Sequence, residues 1–249
     1  MARIEGQVCR IEVYSGLPPQ YGTGFLLGPS VVMTNYHVVE SVIKKEVTPD
    51  KVGLRFDYKA LADGVHVGKS TVYELAHDFP EDQWLLAHSP YSSVDETGGP
   101  GDPSQTELDY ALLRVKGAPG NDPVGGPGLQ LEKPQARGWI AMPARAHDFE
   151  KYPSIYIVQH PEDGPLKVAF DTQSVLGLNG NRTRVRYTTT TAHGSSGSPC
   201  FDGNWNLVAL HHSGDPKFPK LRRAEYNQGI PLAAILALLG DKRRLLGQS

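Results

Sequence analysis

The stretch Thr188–Phe201, "TTTTAHGSSGSPCF", sets three serines in four positions, Ser195, Ser196 and Ser198. A serine that attacks as a nucleophile needs a tight turn with backbone N–H groups aimed where an oxyanion will form. A glycine two residues before it lets the backbone turn so that those amides converge. A glycine just after it leaves room for substrate. Only Ser196 meets both conditions, with Gly194 before it and Gly197 after it. On this reading Ser195 is a spacer and Ser198 lines the following turn. The oxyanion donors are then the N–H groups of Gly194 and Ser196. An ordinary Gly/Ser loop has the same composition, so the rest of the chain must supply the partners.

A serine hydroxyl is a weak nucleophile. It needs a base, and the base needs an orienting carboxylate. "TNYHVV" supplies His37 at the end of a strand-like run, and "GTGFLLGPSVVM" before it reads as a tight hairpin. "DYALLRV" supplies Asp109 among buried residue types, where an unpartnered carboxylate would be costly. Asp95 and Asp102 are rivals. They lie in "DETGGPGDPSQTE" (95–107), a Gly/Pro-rich loop expected to position a carboxylate poorly.

Further out, short runs rich in Val, Ile, Leu, Phe and Tyr recur between turn residues. They include "CRIEVY", "VGLRFDY", "STVYELA", "QWLLAHS", "GWIAMPA", "SIYIVQH", "LKVAFDTQSVLGL", "RVRYTTTT" and "NLVALHHSG". Their length and β-branched content predict about a dozen strands and an all-β fold. "IPLAAILALLGDKRRLL" instead has helical spacing and predicts a C-terminal helix from Ile230, broken at Gly240. The Gly/Pro-rich segment that opens with "KGAPGNDPVGGPG" predicts a connection between two β lobes. The expected division is 1–115, a linker at 116–136, 137–229, and a helix and tail at 230–249.

A formal net charge of −2 offers no basic field for nucleic acid, which is excluded as the main partner. No stretch approaches the ~20 apolar residues of a membrane span, so no membrane partner is expected. The opening residues carry no signal-like apolar run, so a cytoplasmic location is expected. Cys9 and Cys200 are no disulfide framework and read as two reduced thiols. The histidines are scattered without ligand spacing, and no metal or other cofactor is implied. His211 and His212 are neighbours on a strand and are expected to point one inward and one outward.

These motifs, "GTGFLLGPSVVMTNYHVV", "LDYALLRV", "GSSGSPCF" and "LVALHHSG", stand in an order that resembles the chymotrypsin-like (trypsin-like) serine peptidases. The chain looks most like disulfide-free bacterial members. The resemblance implies two antiparallel six-stranded β-barrels with the active site between them and a C-terminal helix. It implies a serine endopeptidase with a His37, Asp109, Ser196 triad acting on a protein or peptide substrate. Val38 follows His37, where secreted digestive members have cysteine. "ARIEG" superficially resembles an activation site at Arg3–Ile4. Ser195, however, offers no carboxylate to a new amine, so the oxyanion loop must be held by other contacts.

The resemblance also places an S1 pocket, which takes the side chain before the scissile bond. Thr190 and Thr191 would floor it, His193 would rim it, and His211, Ser213 and Gly214 would form its wall. Thr190 stands where trypsin-like members place an Asp, so Lys or Arg is not expected at that position. Members that cut after Glu or Gln carry a histidine where His211 stands, which implies cleavage after Glu, with Gln second. By analogy the peptidase is also read as a regulated bacterial effector, answering to a partner or an additional domain. The alternative is a catalytically idle peptide-binding module on the same fold.

Overall fold

A computed structural model describes residues 2–64, 66–77, 83–98, 100–126, 135–216 and 225–246. Two seven-stranded antiparallel sheets dominate it. The first contains β1 (Val8–Val13), β2 (Gln20–Leu26), β3 (Val31–Thr34), β4 (Val52–Phe56), β5 (Thr71–Glu74), β6 (Leu85–Ser89) and β7 (Tyr110–Arg114). Its spatial order is β5-β4-β1-β2-β3-β7-β6. The expected hairpin is present: β2 and β3 pair Phe25 with Met33 and Leu26 with Val32.

The second sheet contains β8 (Ile155–Gln159), β9 (Lys167–Asp171), β10 (Val175–Leu178), β11 (Val185–Tyr187), β12 (Pro199–Phe201), β13 (Leu207–Gly214) and β14 (Asn227–Pro231). Its order is β10-β11-β14-β13-β12-β8-β9. The all-β architecture with its C-terminal helix is as expected, with seven strands per sheet rather than six. Part of the difference is "LKVAFDTQSVLGL", which bends after Asp171 and makes two strands, β9 and β10.

Each sheet curls around apolar side chains of its own. Ile11, Leu26, Val32, Leu54, Phe56 and Leu113 fill the first. Ile155, Ile157, Val185, Tyr187 and Ala209 fill the second. A third cluster joins the lobes: Phe25, Leu27 and Met33 pack with Val158, Phe201 and Leu210. Helix α4, numbered after the three short helices described below, spans Leu232–Leu239. It adds Leu232, Ile235 and Leu239, three residues that helical spacing puts on one face. Full burial of such a side chain contributes about 1.5–3 kcal/mol.

Three sequence expectations need correction. The C-terminal helix begins at Leu232, because Ile230 and Pro231 finish β14 and pair with Leu210 and Ala209. It stops at Gly240, which takes a positive φ and hands over to a 3-10 turn over Gly240–Leu245. "GWIAMPA" forms no strand. Trp139 and Ile140 pack individually, and Ile140 N–H donates to Leu26 O at 2.9 Å. The 95–107 loop is not wholly irregular, because a helix covers Ser93–Thr97. Two more short helices, α1 (Ala2–Gly6) and α2 (Glu40–Ile43), precede it, which makes this one α3.

Residues 127–134 of the expected linker and 247–249 of the expected tail lie outside the described residues. Both cysteines are free and buried. Among the described residues no helix is long and apolar enough to cross a membrane.

Candidate active site

Asp109 sits just before β7 and is fully buried. Its φ is +41°, a left-handed conformation that Asp tolerates better than most residues. Two backbone contacts fix it there: its N–H donates to Pro90 O at 3.0 Å, and Asn35 Nδ2 donates to its carbonyl at 2.8 Å. The carboxylate faces His37, in the turn after β3. His37 Nδ1–H donates to Oδ2 at 2.7 Å and His37 backbone N–H donates to Oδ1 at 3.0 Å. With Nδ1 engaged by Asp109, Nε2 is the ring nitrogen left for a reacting group. The Asp109 pKa is lowered: burial alone would raise it, but the charges of His37 and His212 outweigh burial.

The three serines differ in exposure and bonding. Ser195 is buried and its Oγ accepts from Ala192 N–H at 3.2 Å. Ser198 is also buried. Ser196 alone is partly exposed. Its carbonyl accepts from Thr23 N–H at 2.8 Å, which ties the loop to β2. The loop needs both glycines. Gly194 and Gly197 have φ values of +84° and +86°. A Cβ on Gly197 would lie 2.1 Å from Thr23 O.

The peptide planes around Ser196 can be read from their carbonyls. His193 O accepts from Glu162 N–H at 2.6 Å, and Ser195 O accepts from Ser198 N–H at 3.1 Å. In a trans peptide the N–H points opposite to the C=O. The Gly194 and Ser196 N–H groups are therefore turned the other way. Among the described residues, neither meets a backbone acceptor, whereas the N–H groups of Ser195, Gly197 and Ser198 all do.

What braces this loop lies mostly in the first lobe. Thr23 Oγ1 donates to Gly194 O at 2.8 Å and accepts from His160 N–H at 3.2 Å. Arg10 donates to Asp163 O, and Asp163 Oδ1 sits 3.0 Å from His193 Nδ1.

Two of the residues expected in the pocket, Thr191 and Gly214, meet Asn227, which sequence reasoning missed. Asn227 Nδ2 donates to Thr189 O at 2.8 Å, and Asn227 Oδ1 accepts from Thr191 Oγ1 at 2.9 Å. The same residue pairs with Gly214 across β13 and β14, and Gln228 pairs with Ser213. Thr190 is exposed, with its carbonyl held by Gln159 Nε2 at 3.1 Å. His193 is exposed as well. His211 is buried with Nδ1 2.7 Å from the Tyr187 hydroxyl. Burial, then the charges of His212 and His37, lower its pKa to about 3, so it is neutral.

The expectation for the adjacent histidines fails. His212 does not face outward: both side chains are buried, because β13 is covered on both faces. His212 Nδ1 lies 2.6 Å from Asp109 Oδ2, the same oxygen that His37 Nδ1 meets. Asp95 was set aside as a loop residue, yet it is buried next to this histidine. Helix α3 presents it through a capping box with Ser92. Asp102 remains on the loop and accepts from Asn181 N–H at 3.2 Å. His37, Asp109 and His212 offer ligand atoms within 4.8 Å of one another.

This fold and this grouping define a serine peptidase of the chymotrypsin type. The family model described as trypsin-like peptidase domain matches residues 22–210, and the chain belongs to that family. The chain is 29% identical over 216 residues to the uncharacterized protein y4fB of Sinorhizobium fredii. The match takes in 84% of this chain and 28% of that protein, so the chain spans a little over a quarter of its relative.

Solved structures agree on the fold. A scabies mite inactivated protease paralogue superposes with a TM-score of 0.59 at 16% identity, covering 97% of this chain and 96% of that one. The serine endoprotease from Yersinia pestis gives 0.57 at 12% identity, covering 98% and 65%. The Rv3671c protease from M. tuberculosis in its active form gives 0.55 at 15% identity, covering 100% and 84%. At such identities the likeness speaks for the fold alone.

Proposed function

We propose that His37, Asp109 and Ser196 form the catalytic triad of an endopeptidase. The observation that carries this reading is the Asp109–His37 pairing at 2.7 Å, beside a loop with two uncommitted amides. His37 Nε2 takes the proton from Ser196 Oγ as that oxygen attacks the scissile carbonyl. The Gly194 and Ser196 N–H groups hold the oxyanion. His37 then gives the proton to the leaving amine, and the acyl-enzyme is hydrolysed by water along the same path in reverse. Asp109 orients the ring and stabilises the imidazolium.

For specificity, the reading is cleavage after Gln or Glu, with Thr190, Thr191, His193, His211, Ser213 and Gly214 forming S1. The neutral state of His211 reverses the order expected from sequence. A neutral ring offers a hydrogen bond to the Gln amide without a charge to attract Glu. We further propose that the peptidase acts in the cytoplasm and answers to a partner or further domain. The greater length of its Sinorhizobium fredii relative supports a multi-part context.

The test is fluorophosphonate labelling together with turnover. Ser196→Ala should abolish labelling and lower kcat by about 10⁴–10⁶. Ser195→Ala should label normally and turn over at near wild-type rate. The reverse result would move the nucleophile. A peptide-library profile dominated by Arg or Lys before the cut would overturn the S1 assignment and leave the triad standing.

A further inference from the structure

Behind Asp109 the buried charges continue. His212 Nδ1 lies 2.6 Å from Asp109 Oδ2, and His212 Nε2 lies 3.3 Å from Asp95 Oδ2. The second contact is an ion pair rather than an aligned hydrogen bond. Asp95 is in turn gripped by Arg184, whose Nε and Nη2 donate to its two oxygens at 2.9 and 2.5 Å. Arg184 is also buried, and two further donors go to Thr183 O and Glu107 O. An ionised carboxylate only accepts, so a ring with a carboxylate at each nitrogen is satisfied only with a proton on both. The row then reads Arg184⁺, Asp95⁻, His212⁺, Asp109⁻, with His37 at its open end. Four alternating charges sum to zero, which is how such a row can stay buried.

We propose that His212 is a charged positioning residue, an imidazolium held between Asp109 and Asp95 that fixes the Asp109 carboxylate where it meets His37. This inference rests on the triad reading. The titratable groups facing His212 are Asp109, Asp95 and His37, with Arg184 behind Asp95 and His211 on the opposite face of the strand. The direction of its pKa agrees: burial would lower it, but hydrogen bonding and charge from Asp109, then Asp95, raise it.

The effect on His37 follows from geometry. The two rings are 6.2 Å apart and both reach the same oxygen, Asp109 Oδ2. Holding that oxygen from His212 fixes the carboxylate that His37 Nδ1 meets.

Two measurements test this. The first is the ¹⁵N spectrum of the histidines in the Ser196→Ala protein at about pH 8, above the ordinary histidine range. His212 should show protons on both ring nitrogens, and a neutral ring overturns the proposal. The second is the steady-state kinetics of His212→Asn, which keeps an N–H donor for Asp109 but loses the charge. Its kcat should fall with KM unchanged. An unchanged kcat, in protein that labels fully with fluorophosphonate, overturns the positioning role. Should His212→Asn not fold, the spectrum alone decides. Failure of the triad reading would show separately, as turnover that survives Ser196→Ala.

Discussion

Thr23→Val isolates the brace that holds the oxyanion loop. The substitution is nearly isosteric, so it opens no cavity. It removes one hydroxyl that donates to Gly194 O at 2.8 Å and accepts from His160 N–H at 3.2 Å. Thr23 is fully buried, so no water replaces it. Each buried partner left unmatched costs about 1–3 kcal/mol, giving about 2–6 kcal/mol for the two. For a chain of 249 residues that is a fall in Tm of roughly 4–24 °C. Catalysis should suffer separately. The Thr23 N–H to Ser196 O bond survives, so the loop stays attached but loses its hold on the 194–195 peptide. Full loss of an oxyanion donor costs about 10²–10³ in kcat, and a loosened one should cost about 10–100-fold. The assay is kcat per titrated active site, measured well below the variant's Tm, beside a thermal melt. A lowered Tm with unchanged kcat would refute the claim that this hydroxyl braces the catalytic loop. An unchanged Tm would refute its burial between two partners.

Two further outcomes are expected. Gly197→Ala should lower Tm by more than 5 °C, since its Cβ would meet Thr23 O and Thr34 Oγ1 at 2.1 and 2.4 Å in a left-handed conformation; a melt within 2 °C of wild type would place the loop elsewhere. Stability should also fall as pH drops from about 6.5 toward 3–4. His160 and His211 have folded pKa values lowered to about 4 and about 3, chiefly by burial, so between those values and the ordinary 6.5 the unfolded chain binds more protons. His160→Gln should flatten this slope in denaturant melts taken across the range, and an unaltered slope would contradict the buried neutral state of His160.

What could be read in the sequence follows from how local each requirement is. Ser196 was legible because its turn needs two left-handed residues, and glycine at 194 and 197 writes that need directly into the chain. Asp109 was legible because a carboxylate at the head of an apolar strand must have a partner. β14 was not, because Gly229 and Pro231 erase the strand signal that its neighbours β11 and β13 make unnecessary. "GWIAMPA" misled in the opposite sense: its apolar side chains are buried by packing, without a ladder. The rule that adjacent strand residues face opposite ways was sound for His211 and His212, since one meets Tyr187 and the other Asp109. The error lay in assuming that one face was wet. In a fold of two curled sheets pressed together, the strand that carries the site has lobe on one side and lobe on the other. A polar residue there must find a charge or a hydrogen bond within the protein. That constraint also recovers Asp95. The string "SSVD" (92–95) carries a capping-box signature within a Gly/Pro-rich surround. Once Ser92 starts a helix, Asp95 is turned inward, where Arg184 and His212 give a buried carboxylate its counter-charges. A loop by composition is thus a fixed point by hydrogen bonding, and it stands behind His212, which in turn meets Asp109.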